Sequence, residues 1–434
     1  MTGARWGDEG RRTARRQHMI AALREELGLW EDLADEGRVL EKHRSQLTAV
    51  RALIEPGLDD ADRRLAEGRA DEVPALVLDL FHVWDFFRGR FMLRRAEEHH
   101  AFLGVADELA WECYRPLRDA AMTHGADFLP KEPPLVGFSR HAVPHAHRRG
   151  SAYRELLPRG GVHTGAGLEA VKRLPFPVIE IPWHCRGHLP SMLTVVHEVA
   201  HHVEDDFSLT DELHAKVAAA DLGPSWCARW TDWIGEAFAD VCASVVGGPA
   251  YALVLADLLD QLGGGAQDSP VHPPAATRLA LCRSAATAAG HPLNGQLGTE
   301  KGDLPVDPEA DLIAHLLLST GFDRFHGARL VDLLPSAPAA AAGRRLLAGM
   351  PSGQLSVTGA VAAAALAFHT DPAAYDVLDL DEPVLVEAVR LRPAGTRAAV
   401  PNLVADRRQR ELREAARCLL AALTAPETTT PDSQ

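Results

Sequence analysis

Apolar residues recur three and four positions apart along most of the chain, the spacing that places them on one face of an α-helix. Before residue 125, this spacing predicts helices over 18–34, 38–54, 59–68, 72–87 and 90–124. After residue 250, it predicts helices over 251–262, 274–289, 309–317, 324–334, 339–348, 356–368, 383–391 and 403–423. We therefore expect a mostly α fold with a small β element, in the α+β class.

The segment 128–173 lacks this periodicity, and prolines at positions 130, 133, 134, 144 and 158 predict a long surface segment. It contains His141, His145 and His147, and three histidines so close together could bind a metal ion. Because Pro144 and the short spacing would not hold them on one face, we favour a solvated loop or a flap beside the substrate.

The clearest strand prediction is the segment 174–182, LPFPVIEIP, which ends shortly before the helix that carries the candidate chemistry. Its β-branched residues favour an extended backbone. Prolines occur at both of its ends, and proline cannot donate a hydrogen bond to a neighbouring strand. We therefore predict that this segment is an outer edge strand.

These patterns divide the chain into five regions. We expect a flexible tail over 1–19, an N-terminal helical region over 20–127 and a central region with the candidate chemistry over 128–300. A C-terminal helical region follows over 301–423. The last residues, 424–434, are polar and proline-containing, which predicts a disordered tail.

Composition excludes several classes of function. Of the 434 residues, 46% are hydrophobic, which is enough for a large core. Acidic residues outnumber basic residues by 60 to 45, giving a formal charge of −15, which argues against nucleic-acid binding. The six scattered cysteines are too few for a disulfide framework and favour a cytoplasmic protein.

The longest apolar stretch, 241–256, argues against a membrane partner. It is shorter than the roughly 20 residues that span a bilayer. It also contains the helix-breaking sequence Gly247-Gly248-Pro249. We therefore predict two buried helical pieces here.

A metal-binding motif lies in an apolar-periodic segment that begins near Ser191. Its sequence is His197-Glu198-Val-Ala-His201. Residues four apart on a helix differ by about 40° in azimuth, so both imidazoles project from one face and can bind one zinc ion, with Glu198 beside its water. His202 points away from that face, and we expect it either to contact a ligand from behind or to lie at the surface.

A second predicted helix, 224–246, supplies two further carboxylates. It begins with a proline and ends at a Gly-Gly-Pro sequence. Glu236 and Asp240 are four residues apart and share one face. A catalytic zinc site needs three protein ligands, and a ligating imidazole normally donates its other N–H to a carboxylate. Glu236 suits the first requirement and Asp240 the second.

Together, the two motifs resemble the gluzincins, zinc metallopeptidases in which His-Glu-x-x-His is followed on a second helix by Glu-x-x-x-Asp. The resemblance covers residues 178–244 and does not identify a subfamily. It implies a zincin-like catalytic core within 128–300. It also implies Zn²⁺ ligation by His197, His201 and Glu236, a general base in Glu198 and support of a ligand by Asp240.

The implied chemistry is hydrolysis by a zinc-activated water, with Glu198 taking the proton and passing it to the leaving amine. The predicted edge strand, 178–181, could pair its backbone with an extended peptide. A donor to the developing oxyanion is also required. The candidates for this donor are His272, Tyr251, Arg278 and Tyr153.

Three functions are consistent with these residues. The first is a zinc metallopeptidase that hydrolyses a peptide or protein substrate. The second is a zinc-dependent amidase that acts on a small molecule or a modified peptide. The third is a regulatory or interaction protein with a single dedicated partner substrate, although Glu198 argues against a catalytically inactive scaffold because a structural site needs no water-activating carboxylate.

Overall fold

A computed structural model describes residues 9–122, 132–147, 156–157, 165–262, 271–291, 306–336, 341–397 and 402–424. The helices are α1 (Glu9–Asp32), α2 (Arg44–Ala66), α3 (Val73–Met92), α4 (Glu97–Met122), α5 (Gly165–Lys172), α6 (Thr194–Asp206), α7 (Thr210–Ala219), α8 (Pro224–Gly247), α9 (Pro249–Gln261), α10 (Ala275–Ala288), α11 (Pro308–Ser319), α12 (Leu330–Leu333), α13 (Ala341–Leu347), α14 (Val357–Thr370), α15 (Pro372–Val377), α16 (Asp381–Leu391) and α17 (Asn402–Thr424). The strands are β1 (Leu135–Ser139), β2 (His145–His147) and β3 (Val178–Pro182). The prediction of a mostly helical chain with a small β element is confirmed.

The chain divides into two compact units. The first is assembled from Met1–Arg95, Arg149–Phe176 and Gly395–Gln434, and the second from Ala96–Arg148 and Pro177–Ala394. Helices α1, α2, α3, α5 and α17 belong to the first unit. The sheet and the remaining helices belong to the second unit, which therefore contains both predicted chemical motifs.

In the first unit, α2 runs without interruption through Pro56 and Gly57, where the sequence pattern predicts a break between two helices. The reason is the packing of α2 against α3. A Cβ atom on Gly57 would lie 2.6 Å from Cδ2 of Leu80, so a larger residue would require the Leu80 side chain to shift. Here the glycine permits close helix packing and does not end the helix.

Helix α1 also differs from its prediction, because it begins at Glu9 within the segment expected to be a flexible tail. The residues up to Arg16 include few apolar side chains, so hydrophobic periodicity does not detect them. Ion pairs support this part of the helix instead, since Arg16 contacts both Glu9 and Asp71. The predicted C-terminal tail lies outside the described residues, apart from Thr424, the last residue of α17.

The sheet of the second unit has the strand order β1-β3-β2. Strand β3 pairs in parallel with β1 and antiparallel with β2, so the prediction that it is an edge strand is wrong. Its prolines lie before or at the ends of the paired segment, which leaves the N–H groups of Ile179 and Ile181 between them. Both side chains are at most 1% exposed, as expected for an inner strand.

Strand β1 lies in the segment that the sequence predicts as surface. Leu135 and Val136 are fully buried, and the backbone N–H of Val136 donates a hydrogen bond to Asp107. A strand of five residues is too short to give a clear alternation of polar and apolar positions. The sequence pattern therefore does not reveal it.

The apolar stretch near residue 248 forms two buried helical pieces, as predicted. Helix α8 ends at Gly247, Gly248 adopts a positive φ of 54°, and α9 begins at Pro249. In the part of the chain that the structure describes, no helix has both the length and the apolar character needed to cross a bilayer. All six cysteines are described, and none forms a disulfide.

Glu112 on α4 stabilises the N-terminus of α14. Its carboxylate accepts hydrogen bonds from the backbone N–H groups of Val357 and Thr358 and from the Thr358 hydroxyl, at 2.6 to 3.0 Å. Glu112→Ala should lower the free energy of unfolding by about 1–3 kcal/mol, because the first turn of α14 loses a charged acceptor. Urea unfolding followed by circular dichroism measures this change. Arg115→Ala, an exposed position in the interior of the same helix, is the control, and equal losses in both variants would contradict this role.

Candidate functional site

The candidate site begins on α6, which carries the His-Glu-x-x-His motif. A 3-10 helix, Leu189–Leu193, leads directly into α6, and its first N–H donates a 3.0 Å hydrogen bond to Asp381. Helix α6 is almost wholly buried because it packs against α4, α8 and the sheet. His197, Glu198 and His201 are only 6 to 9% exposed. Such burial is costly for ionisable groups unless a partner or a metal ion compensates it.

Helix α8 brings the second motif to α6. Helices α6 and α8 pack closely beside Glu236, since a Cβ atom on Gly235 would lie 3.0 Å from a carboxylate oxygen of Glu204 on α6. Asp240 is one turn further along α8 and is fully buried. The structure therefore brings together both carboxylates and both histidines of the predicted site.

The three predicted ligands form a small triangle. The Nε2 atoms of His197 and His201 are 3.2 Å apart. The Nε2 atom of His197 lies 3.4 Å from Oε2 of Glu236, and the Nε2 atom of His201 lies 3.4 Å from Oε1. In the described part of the chain, these three residues form the one group of three metal-ligating side chains that lie within 4.8 Å of one another.

The spacing of these atoms is close to that of tetrahedral metal ligands. Zinc binds imidazole nitrogen and carboxylate oxygen at about 2.0 to 2.2 Å, so two tetrahedral ligand atoms are separated by about 3.4 Å. The two imidazole nitrogens are 3.2 Å apart, and each lies 3.4 Å from a different oxygen of Glu236. Two imidazoles and one carboxylate are also a ligand set that zinc and similar transition metals favour, whereas magnesium and calcium prefer oxygen alone.

Asp240 lies behind the triangle and fixes the orientation of His197. Its Oδ1 atom is 3.0 Å from Nδ1 of His197, on the side of the ring opposite the Nε2 atom that faces the triangle. Donation from Nδ1–H to this carboxylate leaves the Nε2 lone pair directed at the triangle. The placement of Asp240 agrees with the supporting role expected from the sequence.

Two further side chains converge on Asp240. Arg278 on α10 donates from Nε and Nη2 to its two oxygens at 2.7 and 2.8 Å. The hydroxyl of Tyr251 on α9 donates to Oδ1 at 2.8 Å and lies 3.1 Å from Nδ1 of His197. The hydrogen bonds from these donors offset the free-energy cost of burying the Asp240 carboxylate.

The charges of the site favour a cation at the triangle. Burial lowers the pKa of His197, but hydrogen bonds to Asp240 and Glu236 raise it overall, to about 10. Burial raises the pKa of Glu236, but the two imidazoles hold it well below its usual range. For Asp240, Arg278 and His197 outweigh burial and also lower the pKa. A proton or a metal ion can supply the positive charge that these carboxylates stabilise.

The predicted oxyanion donors occupy different sides of the site. Tyr251 contacts Asp240 and Nδ1 of His197 and therefore lies behind the ring of His197. Arg278 also pairs with Asp240, but its Nη2 atom lies 3.7 Å from Oε2 of Glu236, beside the triangle. The side chain of His272 is 49% exposed, and its Nε2 atom is 3.4 Å from an oxygen of Glu236. His272 is thus the described candidate that reaches solvent beside the triangle. Tyr153 lies outside the described residues.

The other histidines singled out by the sequence do not join the triangle. His202 is only 1% exposed, so it is not at the surface. His141 is exposed in the turn between β1 and β2, and His145 is an exposed residue of β2. The side chain of His147 lies outside the described set.

No protein-family model, curated protein sequence or solved structure matches this chain. The case for its chemistry therefore depends on the residues of the site.

Asp240→Asn should lower Zn²⁺ affinity by about 10- to 100-fold, because His197 loses the carboxylate that orients it. It should also cost about 3–5 kcal/mol of unfolding free energy, since the buried Arg278 loses its charge partner. Tyr251→Phe removes one donor and keeps the ion pair, so it should cost only about 1 kcal/mol. Chelator competition and urea unfolding measure the two quantities. Equal effects of the two substitutions on Zn²⁺ affinity and on unfolding free energy would show that the charge of Asp240 determines neither quantity.

Proposed function

We propose that this chain is a zinc-dependent metallopeptidase of gluzincin type, with a zincin-like catalytic core built around α6 and α8. The observation that carries the proposal is the triangle of His197, His201 and Glu236, in which each imidazole Nε2 lies 3.4 Å from a Glu236 oxygen, close to the spacing of tetrahedral zinc ligands. The order of the two motifs along the chain and the carboxylate of Asp240 behind His197 support the same assignment. No other described group offers a comparable set of ligands.

In this proposal, His197, His201 and Glu236 would hold a zinc ion, which would supply a water of lowered pKa, about 7, and an electrophile for the substrate carbonyl. Glu198 follows His197 on α6 and accepts the proton of the attacking water. The same carboxylate then delivers this proton to the amide nitrogen that leaves. Because Glu198 is only 8% exposed, bulk water competes weakly for the proton.

His272 is the proposed donor to the oxyanion. It is the described candidate at the open side of the triangle, and its imidazole is held near Glu236. A donor in this position stabilises negative charge that develops on the carbonyl oxygen as water attacks. Tyr251 acts from behind His197, through Asp240, whereas Arg278 pairs with Asp240 and also lies near Glu236.

The substrate backbone is proposed to lie along β2. This strand occupies an outer position of the described sheet, and it packs against α6. An outer strand can form backbone hydrogen bonds with an extended peptide, which recruits a substrate without reading its side chains. In this proposal, β2 and not β3 pairs its backbone with an extended peptide.

Glu198→Gln should keep about one zinc ion per chain and reduce peptide cleavage by about 10²- to 10⁴-fold, because the amide cannot accept the proton. Glu236→Ala should lose the metal itself, since it removes one of three protein ligands. Elemental analysis and cleavage of a fluorogenic peptide library measure the two outcomes. A wild-type protein that is purified without chelators and contains no metal would refute the proposal and favour a helical interaction module.

His272→Ala should lower kcat by about 10²- to 10³-fold, because the oxyanion loses its donor. The zinc content should stay unchanged, since His272 is not part of the triangle. Steady-state kinetics on one cleaved peptide measure the effect, with His315→Ala, an exposed histidine on α11, as the control. A rise in KM at constant kcat would instead assign His272 to substrate binding.

A further inference from the structure

A cavity of about 220 Å³ lies in the second unit, separate from the ligand triangle. Its walls come from the turn before β2, the segment that leads into α6, helix α9 and the end of α14. Thr194, the first residue of α6, and Val254 of α9 are among the lining residues. A cavity of roughly 150 Å³ can hold benzene, so this cavity can hold a large amino-acid side chain.

Helix geometry places this cavity beside the catalytic face of α6. Thr194 precedes His197 by one turn and His201 by two turns, and the azimuth of Thr194 differs from theirs by about 60° and 20°. Residues at this spacing share one face of the helix. The cavity therefore adjoins the row of side chains that ends in the metal ligands.

Helix α9 gives an independent indication of the same proximity. Tyr251 contacts His197, and Val254 and Leu258 follow Tyr251 by three and seven residues. They therefore continue the same face of α9 into the cavity. The face of α6 and the face of α9 therefore both place the cavity about one helical turn from His197.

The charge of the cavity wall is negative. Asp257 is the one carboxylate among the described lining residues, and these residues include no lysine or arginine. Its side chain is 46% exposed, so it is accessible, and it lies 3.6 Å from Nε2 of His369. Burial lowers the pKa of His369 and of His188, which keeps both imidazoles neutral near pH 7.

Aromatic rings complete the wall around this carboxylate. Phe368 and His188 both line the cavity, and their ring centroids are 4.5 Å apart in an edge-to-face arrangement. Aromatic faces attract a cation as well as apolar atoms. The thiol of Cys185 also lines the cavity, but burial raises its pKa to about 11, so it stays protonated and is a poor nucleophile. The wall is suited to binding and not to covalent chemistry.

We propose that this cavity is a specificity pocket for a basic side chain, arginine or lysine, of the peptide substrate, with Asp257 as its counter-ion. The proposal rests on the proposed peptidase function, and it defines the substrate class. The methylene groups of the basic side chain would contact Val254 and Leu258. Its charged end would lie between Asp257 and the ring of Phe368.

The first test measures binding without catalysis. Isothermal titration calorimetry of the metal-free protein compares n-butylguanidinium with n-butylurea, a neutral molecule of similar shape. Wild type should bind the guanidinium compound about five- to tenfold more tightly. Asp257→Asn should abolish this difference, whereas Asp260→Asn, an exposed carboxylate on the same helix that does not line the cavity, should preserve it. Equal binding of the two compounds to wild type would overturn the proposal.

The second test measures cleavage with peptides that differ at one position by lysine, arginine, norleucine or glutamate. The zinc-loaded protein should prefer the basic residues by at least tenfold in kcat/KM, and Asp257→Lys should shift the preference towards glutamate. Cleavage without a basic preference would overturn the pocket and leave the peptidase intact. Failure to cleave any peptide, together with guanidinium binding that requires Asp257, would refute the peptidase and retain a pocket for basic groups.

Discussion

The buried carboxylate of Asp240 is the constraint on which the site depends. It is fully buried, and an isolated carboxylate in such a place would cost several kcal/mol. Three residues from three different helices donate to it: His197 from α6, Tyr251 from α9 and Arg278 from α10. Asp240 itself belongs to α8, so one ionised group links four helices. Any movement of these helices that separates the donors leaves a buried charge uncompensated.

This network explains why the three side chains of the triangle are held together. Arg278 makes its shortest contacts with Asp240, and its Nη2 atom also lies 3.7 Å from Glu236. His197 is oriented by Asp240, and Glu236 lies one turn before Asp240 on α8. The triangle is therefore held by Asp240 and Arg278, which lie outside it. Such support is typical of a site that is formed before any ligand binds.

The sequence predicts the parts of this site that depend on local geometry. The spacing of His197 and His201, and of Glu236 and Asp240, follows from the period of a helix, so both pairs could be assigned to shared faces. The convergence of Tyr251 and Arg278 on Asp240 depends on how α9 and α10 pack, which no local pattern encodes. The same limit applies to the sheet, because the inner position of β3 is set by strands more than 30 residues away in the chain.

The chain segments that form the two units determine the order in which the units are completed during synthesis on the ribosome. The second unit, with every residue of the candidate site, is complete once residue 394 has been made. The first unit contains α1, α2 and α3 near the start of the chain, but α17, which packs on α2 and α5, begins only at Asn402. The apolar surface of α2 that faces α17 is therefore covered only after α17 has been made. Of the two units, the one whose helices come earlier in the chain is completed later.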